Sequence, residues 1–83
     1  MEFKFRHLKA ILRRYKIKVD KSIGLPAGFG LVGPHHVTGI EQIHIIPAWT
    51  NHAEVEKEYV NAIRRRFGLL PENGIDDRIF FGS

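Results

Sequence analysis

Residues 3–20 read FKFRHLKAILRRYKIKVD, and the hydrophobic period changes within this stretch. In its first part the apolar residues recur every three or four positions, which predicts an amphipathic helix from about Phe3 to Tyr15. The last five residues alternate polar and apolar, which predicts a short strand with Ile17 and Val19 directed inward. A helix that leads directly into a strand indicates a domain that mixes the two kinds of structure.

Glycine and proline shape the middle of the chain. Five glycines within residues 24–39 predict loops or hairpin turns around short strands, one of them over Phe29–Val32. The clearest strand is Ile40–Ile46, and Pro47 ends it. The segment Gly28–Gly33 matches the letters of the dinucleotide-binding fingerprint, but no helical pattern follows to hold a pyrophosphate. We therefore favour a loop or hairpin here, with a looser anion-binding nest of backbone amides as the alternative.

A second helix is predicted over Asn51–Phe67. Asn51 and Glu54 have the spacing of a capping box at its start, and Gly68 ends it. Its charges match the helix dipole, because acidic residues come first and arginines last. The predicted apolar row comprises Val55, Tyr59, Ile63 and Phe67.

The remainder of the chain predicts a turn at Pro71–Gly74 and a last short strand at Arg78–Phe81. Residues 1–83 then form a single domain of the α+β class. We predict a small, largely antiparallel sheet of three to four strands with two helices packed on one face, in the order α-β-β-β-α-β.

The composition narrows the class of protein. The chain has no cysteine, which excludes a disulfide scaffold and a zinc site built on thiolates. No apolar run approaches the roughly 18 residues that span a bilayer, and no signal peptide is apparent, so we expect a cytoplasmic protein without a membrane partner. A chain of 83 residues has a small core. Because Phe80 and Phe81 are adjacent on the predicted last strand, one of them would lack a core of its own, and we predict a homodimer.

Positive charge is concentrated at the start of the chain. Eight of the 13 lysines and arginines lie in the first 21 residues, against Glu2 and Asp20, which gives 8 − 2 = +6 there. A basic stripe on one side of a helix favours an anionic partner, either nucleic acid or an acidic protein. The predicted nucleic-acid-binding residues are Arg6, Lys9, Arg13, Arg14, Lys16, Arg64 and Arg65.

Three histidines, His35, His36 and His44, lie within ten residues and have Glu41 among them. Imidazoles and a carboxylate are the groups that a metal site or an acid–base pair uses. The three histidines are therefore the candidate metal ligands, and His36, Glu41 and His44 are the candidate catalytic groups if the protein is an enzyme. Their spacing matches no strong metal motif, and adjacent histidines on a strand point to opposite faces.

The segments Gln42–Pro47 and Asn51–Val55 resemble the metal-dependent HNH-type toxin nucleases, and Asn73–Ile75 matches a later Asn-Gly-Ile segment of that family. The resemblance implies metal-dependent cleavage of nucleic acid. The sequence departs from the family at Ile43, where the family has a histidine. It also has no histidine after His52 to complete a metal site. These departures leave the chain without an assigned family.

The sequence thus favours a small basic binding module over an enzyme. We predict that its N-terminal helix engages an acidic partner, nucleic acid in the first place, and we predict no cofactor. The alternatives are a small enzyme or ligand-binding protein centred on the histidine and glutamate cluster, and a regulatory protein that binds other proteins without nucleic-acid contact.

Overall fold

The computed structural model describes residues 3–24, 26 and 28–82. Within these residues, three helices and a three-stranded antiparallel sheet confirm the predicted α+β class. Strands β2 and β3 lie where strands were predicted, and the first helix lies inside its predicted range. In chain order the elements are α1 Phe5–Arg13, β1 Lys18–Asp20, β2 Gly28–Pro34, β3 Glu41–Pro47, α2 Lys57–Phe67, a 3-10 turn Pro71–Asn73 and α3 Asp77–Phe81.

The sheet has the strand order β1-β2-β3, so β2 is central. Leu31 of β2 pairs with Val19 on one side and with His44 on the other. Helix α1 lies against β1, and α2 lies against β3. Both helices share the core cluster with Leu31 and Ile46, which places them on one face of the sheet, as predicted. On the other face Ile43 and Ile45 remain exposed.

The core joins the apolar face of α1 to the sheet and to the C-terminal half of the chain. Phe5, Leu8 and Leu12 of α1 are buried, which confirms the predicted helical face. Burying each such side chain contributes about 1.5–3 kcal/mol, so α1 is held mainly by its packing. The other buried apolar residues are Ile11, Ile17, Leu31, Ile46, Val55, Val60, Ile63, Phe67, Leu69, Ile75 and Phe80.

The glycines of the apparent dinucleotide fingerprint belong to the central strand. A Cβ at Gly28 would lie 2.0 Å from the carbonyl oxygen of Ile46, and one at Gly33 would lie 2.8 Å from the Cα of Ile17. Glycine is required because neighbouring backbone approaches so closely. A turn follows β2 and no helix opens there, so the segment lacks the geometry that holds a pyrophosphate.

Helix α2 begins later than its capping box predicts. The segment before it pairs with the chain's N-terminal part: Phe5 donates its N–H to the carbonyl of Ala53, and Val55 donates to Phe3. These bonds hold residues 51–55 outside any helix, so α2 starts at Lys57, after Glu56.

The predicted apolar row of α2 needs one correction. Tyr59 is 40% exposed, with its ring edge on Trp49, and Val60 is the buried residue. Ile63 and Phe67 of that row are buried as predicted, whereas Tyr59, in the first turn of α2, packs on Trp49 at the edge of the core. The buried face of α2 comprises Val60, Ile63, Arg64 and Phe67.

The predicted last strand is wrong, because residues 77–81 form the short helix α3. The side chain of Asp76 accepts a hydrogen bond of 2.9 Å from the N–H of Ile79, and Gly82 ends the helix with a left-handed φ of +70°. Phe80 enters the core and Phe81 stays exposed. Among the described residues, the structure contains no helix of the length and apolarity needed to cross a bilayer.

Candidate functional site

Cations from α1, β1 and the turns that flank β1 meet around a groove of about 770 Å³. Val32 and Pro34 of β2 lie along the floor of this groove, and Asp20 and Glu41 are its acidic members. We call it the basic groove. Its four cationic residues are Arg13, Lys16, Lys18 and Lys21.

Lys16 has a backbone conformation that lysine rarely adopts. Its φ is +63°, and it is the one non-glycine residue with positive φ among those described. It follows the last turn of α1, where Ile17 donates its N–H to the carbonyl of Leu12. Glycine is the usual residue at such a position, because any larger residue with a left-handed φ reduces the stability of the fold by about 1–2 kcal/mol. From this position Lys16 lines the basic groove.

Asp20 is held by its own turn. Its carboxylate accepts hydrogen bonds from the N–H and the hydroxyl of Ser22, at 2.9 and 2.5 Å. The hydrogen bonds from Ser22 lower the pKa of Asp20, because they favour the charged form. Asp20 is therefore a fixed negative charge among the four cations of the basic groove, and Glu41 is the second carboxylate of its lining.

The other predicted cations of α1 and its C-cap residue differ in their surroundings. Arg6 is exposed on the helix surface. The ammonium of Lys9 binds Oδ1 of Asn51 and lies 5.1 Å from the centre of the Phe5 ring. Arg14 donates from Nη2 to the carbonyl of Phe80 at 2.8 Å. Lys9 and Arg14 thus join α1 to other parts of the fold.

Arg64 was a predicted nucleic-acid contact, and the structure places it in the core. Its side chain donates from Nε to the carbonyl of Leu69, from Nη1 to Asp77 and from Nη2 to the carbonyl of Ile75. Its guanidinium also lies 4.6 Å from the centre of the Phe80 ring. All three nitrogens are engaged, so Arg64 has a structural task.

Arg65 and Arg66 turn outward into a second cavity, of about 460 Å³, between α2 and β3. We call it the histidine–arginine pocket. Strand alternation brings Gln42 and His44 to the α2 side of β3, and the turn after β2 adds His35. The described residues that line it are His35, Gln42, His44, Ala62, Arg65 and Arg66.

His35 is fixed by the end of α2. A Cβ on Gly68 would lie 2.3 Å from Cε1 of the imidazole, so the ring rests directly on that glycine. Nδ1 of His35 accepts hydrogen bonds from the N–H groups of Val37 and Thr38, at 3.1 and 3.3 Å. The next residue, His36, donates its N–H to the carbonyl of Phe67 at 2.8 Å. The turn after β2 is thereby docked onto the C-terminus of α2.

The structure does not bring the predicted catalytic set together. His36 packs its ring against Tyr15, with 5.9 Å between the ring centres. Glu41 lies beside the basic groove, on the sheet face opposite to that of His44. Within residues 3–24, 26 and 28–82, no three histidine, aspartate or glutamate residues form a group that could hold a metal ion. Of the predicted histidines, His35 and His44 share a pocket.

Electrostatics in the histidine–arginine pocket favour the neutral form of His44. Burial lowers the pKa of His44, and the positive charge of Arg66 lowers it further. Both effects penalise a positive charge on His44. A negatively charged ligand would offset them.

Four side chains that bring hydrogen-bond donors to these cavities were absent from the predicted site residues. Lys18 and Lys21 lie in the basic N-terminal 21 residues, and that concentration of charge was the signal that could have added them to the predicted cations. Gln42 was recognisable as the residue that shares a strand face with His44. Arg66 follows directly after Arg65 and was noted in sequence only as part of the arginine run.

Comparison with protein-family models, with curated proteins and with solved structures finds no match to this chain. The resemblance to HNH-type nucleases therefore gains no support from a family match. Any functional assignment has to be argued from the two cavities themselves.

Proposed function

We propose that this protein binds nucleic acid through the phosphate backbone, with the basic groove as the contact surface. The observation that carries the proposal is that four cations of residues 13–21, from the end of α1, from β1 and from the turns beside β1, line one groove. Long cationic side chains along one surface are what phosphate contact requires. Exposed Arg6 extends the same charge along α1.

The strain at Lys16 supports this function. A glycine would end α1 at lower free energy, yet a lysine stands there and lines the groove. A cation that serves ligand binding explains why the chain has a lysine at a position that favours glycine.

The proposed binding has little sequence preference. Three of the four groove cations are lysines, which contact phosphates as point charges. Four phosphate contacts correspond to a slope of about −3 to −4 in a log–log plot of affinity against salt.

The test compares two double charge reversals by fluorescence anisotropy with labelled DNA and RNA. Arg13→Glu with Lys18→Glu alters the groove, and Lys57→Glu with Arg78→Glu alters exposed cations of α2 and α3. Each variant changes the net charge from +4 to 4 − 4 = 0, so their non-specific electrostatics match.

We expect the groove variant to lose most binding and to reduce the salt slope by about two, while the control retains the parental slope. Equal losses in both variants would show attraction by net charge alone and would refute the groove. Binding of an acidic protein that is groove-dependent, without binding of DNA or RNA at low salt, would favour the acidic-protein alternative.

A further inference from the structure

We propose that the histidine–arginine pocket is a separate binding site for a phosphate group, either free or carried by a small phosphomonoester. The site lies on the α2 side of β3, whereas the basic groove lies beside β1 and β2. It does not depend on the proposed function.

The first argument is the chemistry of the lining. The pocket presents two guanidinium groups, two imidazoles and one carboxamide, and none of its described lining residues has a carboxylate. Guanidinium, imidazole and amide groups all donate hydrogen bonds. A cation would find only imidazoles and an amide oxygen here, next to two positive charges. An oxyanion would find donors on several sides.

The second argument is that the arginines are available. Among the described residues, Arg65 and Arg66 form no ion pair with a carboxylate, whereas the neighbouring Arg64 is bound to Asp77. Arginines in the last turn of a helix are favoured by the helix dipole, which explains their place in the sequence. The dipole does not explain the imidazoles and the amide that face them from β3 and the turn after β2. Arginine is also the side chain whose planar fork matches a phosphate.

The third argument is preorganisation. Because Nδ1 of His35 accepts two backbone N–H groups, the neutral ring carries its proton on Nε2, which makes Nε2 a donor. Gly68 and the bond from His36 to Phe67 hold that ring in place. His44 and Gln42 project from a paired strand. Donors fixed on rigid elements bind with a smaller loss of conformational entropy.

The fourth argument is size. The pocket is open to solvent, and its volume of about 460 Å³ leaves room for a phosphate group with a small substituent. Among the described lining residues there is no phenylalanine, tyrosine or tryptophan on which a nucleobase could stack. The recognised feature is therefore the phosphate, with room beside it for a small polar group such as a sugar.

The test is an NMR titration of the labelled protein with inorganic phosphate and, separately, with ribose 5-phosphate, against sodium chloride at equal ionic strength. We expect saturable shifts at His35, Gln42 and His44 with the phosphate probes, and an upward shift of the His44 pKa when the site is filled. Arg66→Gln weakens the binding by roughly tenfold or more, because it removes charge-assisted hydrogen bonds.

Arg78→Gln is the matched control, an exposed arginine of α3 outside this pocket, and it leaves the titration unchanged. Arg13→Glu with Lys18→Glu also leaves it unchanged, which separates this site from the basic groove. Tighter binding of ribose 5-phosphate than of inorganic phosphate identifies a phosphomonoester as the ligand class, and the reverse identifies free phosphate. Shifts that do not saturate, that sodium chloride reproduces, or that persist in Arg66→Gln with Arg65→Gln overturn the proposal.

Discussion

The guanidinium of Arg64 donates to the carboxylate of Asp77 at 2.6 Å, with the Arg64 side chain 6% exposed and the Asp77 side chain 81% exposed. The bond connects the interior of α2 to the first turn of α3. Arg64 also donates to two backbone carbonyls of the segment between these helices. This arginine therefore organises the C-terminal part of the chain, and the exposed carboxylate is its outermost partner.

The first prediction compares how much Arg64 and Asp77 each contribute to stability. Arg64→Met should destabilise the fold by about 3 kcal/mol, because it leaves buried carbonyls without donors. Asp77→Asn should cost less than about 1 kcal/mol, since the carboxylate is largely in water. Urea denaturation followed by circular dichroism measures both. Equal losses in the two variants would contradict the structural task assigned to Arg64.

The second prediction concerns the contact of Gly68 with His35. Gly68 and Gly74 both have positive φ, at +70° and +85°, but a Cβ at Gly74 meets no described atom within 4 Å. Gly74→Ala should therefore cost only the backbone term of about 1–2 kcal/mol. Gly68→Ala should cost about 1–3 kcal/mol more, because its methyl group overlaps the imidazole.

Adding His35→Ala to Gly68→Ala should recover that excess, which a double-mutant cycle by chemical denaturation measures. No recovery would mean that the ring does not rest on Gly68. The same cycle tests the docking of the turn after β2, on which the histidine–arginine pocket depends.

The period of the apolar residues was sufficient to predict an element when its buried and exposed positions repeat over its length. Helix α1 and strand β3 belong to this group, whereas β2 was predicted from the glycine turn signals around it. Helix α3 has five residues, too few for a helical period to repeat. Its two adjacent phenylalanines are typical of strands. The capping aspartate, Asp76, and the following Gly82 were the local signals for a helix there.

The sites were less predictable than the elements, because they depend on contacts between distant segments. Strand alternation places His44 beside Gln42. No local pattern indicates that His35 rests on Gly68 or that Arg64 turns inward while Arg65 turns outward. The start of α2 was missed for a similar reason, since pairing with the N-terminal segment replaces the local capping signal at Asn51.

The third prediction is self-association, which the small core led us to expect. Phe80 is fully buried, so the candidate partner contact is Phe81, which is 42% exposed and stacks edge-on with Phe3 at 5.3 Å. We expect a dimer mass by sedimentation at micromolar concentration that Phe81→Ser reduces to a monomer. Ile79→Ser, at another exposed apolar residue of α3, is the control. A monomer mass for the parental protein across that range would refute the dimer.

The fourth prediction is a pH dependence that arises from His44. Its folded-state pKa lies below the ordinary value of 6.5, so at intermediate pH the folded protein binds fewer protons than the unfolded chain. The free energy of unfolding should fall as the pH drops below about 6.5 towards the folded-state pKa, and the contribution of His44 should be constant above it.

The free energy of unfolding is measured by denaturation for the parental protein and for His44→Gln between pH 5 and pH 8. The difference between the two proteins gives the contribution of His44. The parental protein should lose stability relative to the variant on the acidic side, and saturating inorganic phosphate should reduce that loss. Parallel pH profiles in the absence of phosphate would show that His44 titrates alike in the folded and unfolded chain.

The fifth prediction uses the strained backbone of Lys16 to separate stability from binding. Lys16→Gly should stabilise the fold by about 1 kcal/mol, because glycine adopts a left-handed φ without a steric penalty. The same change should weaken nucleic-acid binding and reduce the salt slope by about one, since one groove cation is lost.

Lys16→Ala is the matched variant. It removes the same charge and retains the Cβ, so it should weaken binding equally without the gain in stability. Thermal denaturation and anisotropy titration of the three proteins provide both quantities. A stabilised Lys16→Gly that binds as well as the parental protein would show that the lysine is not held there for its charge.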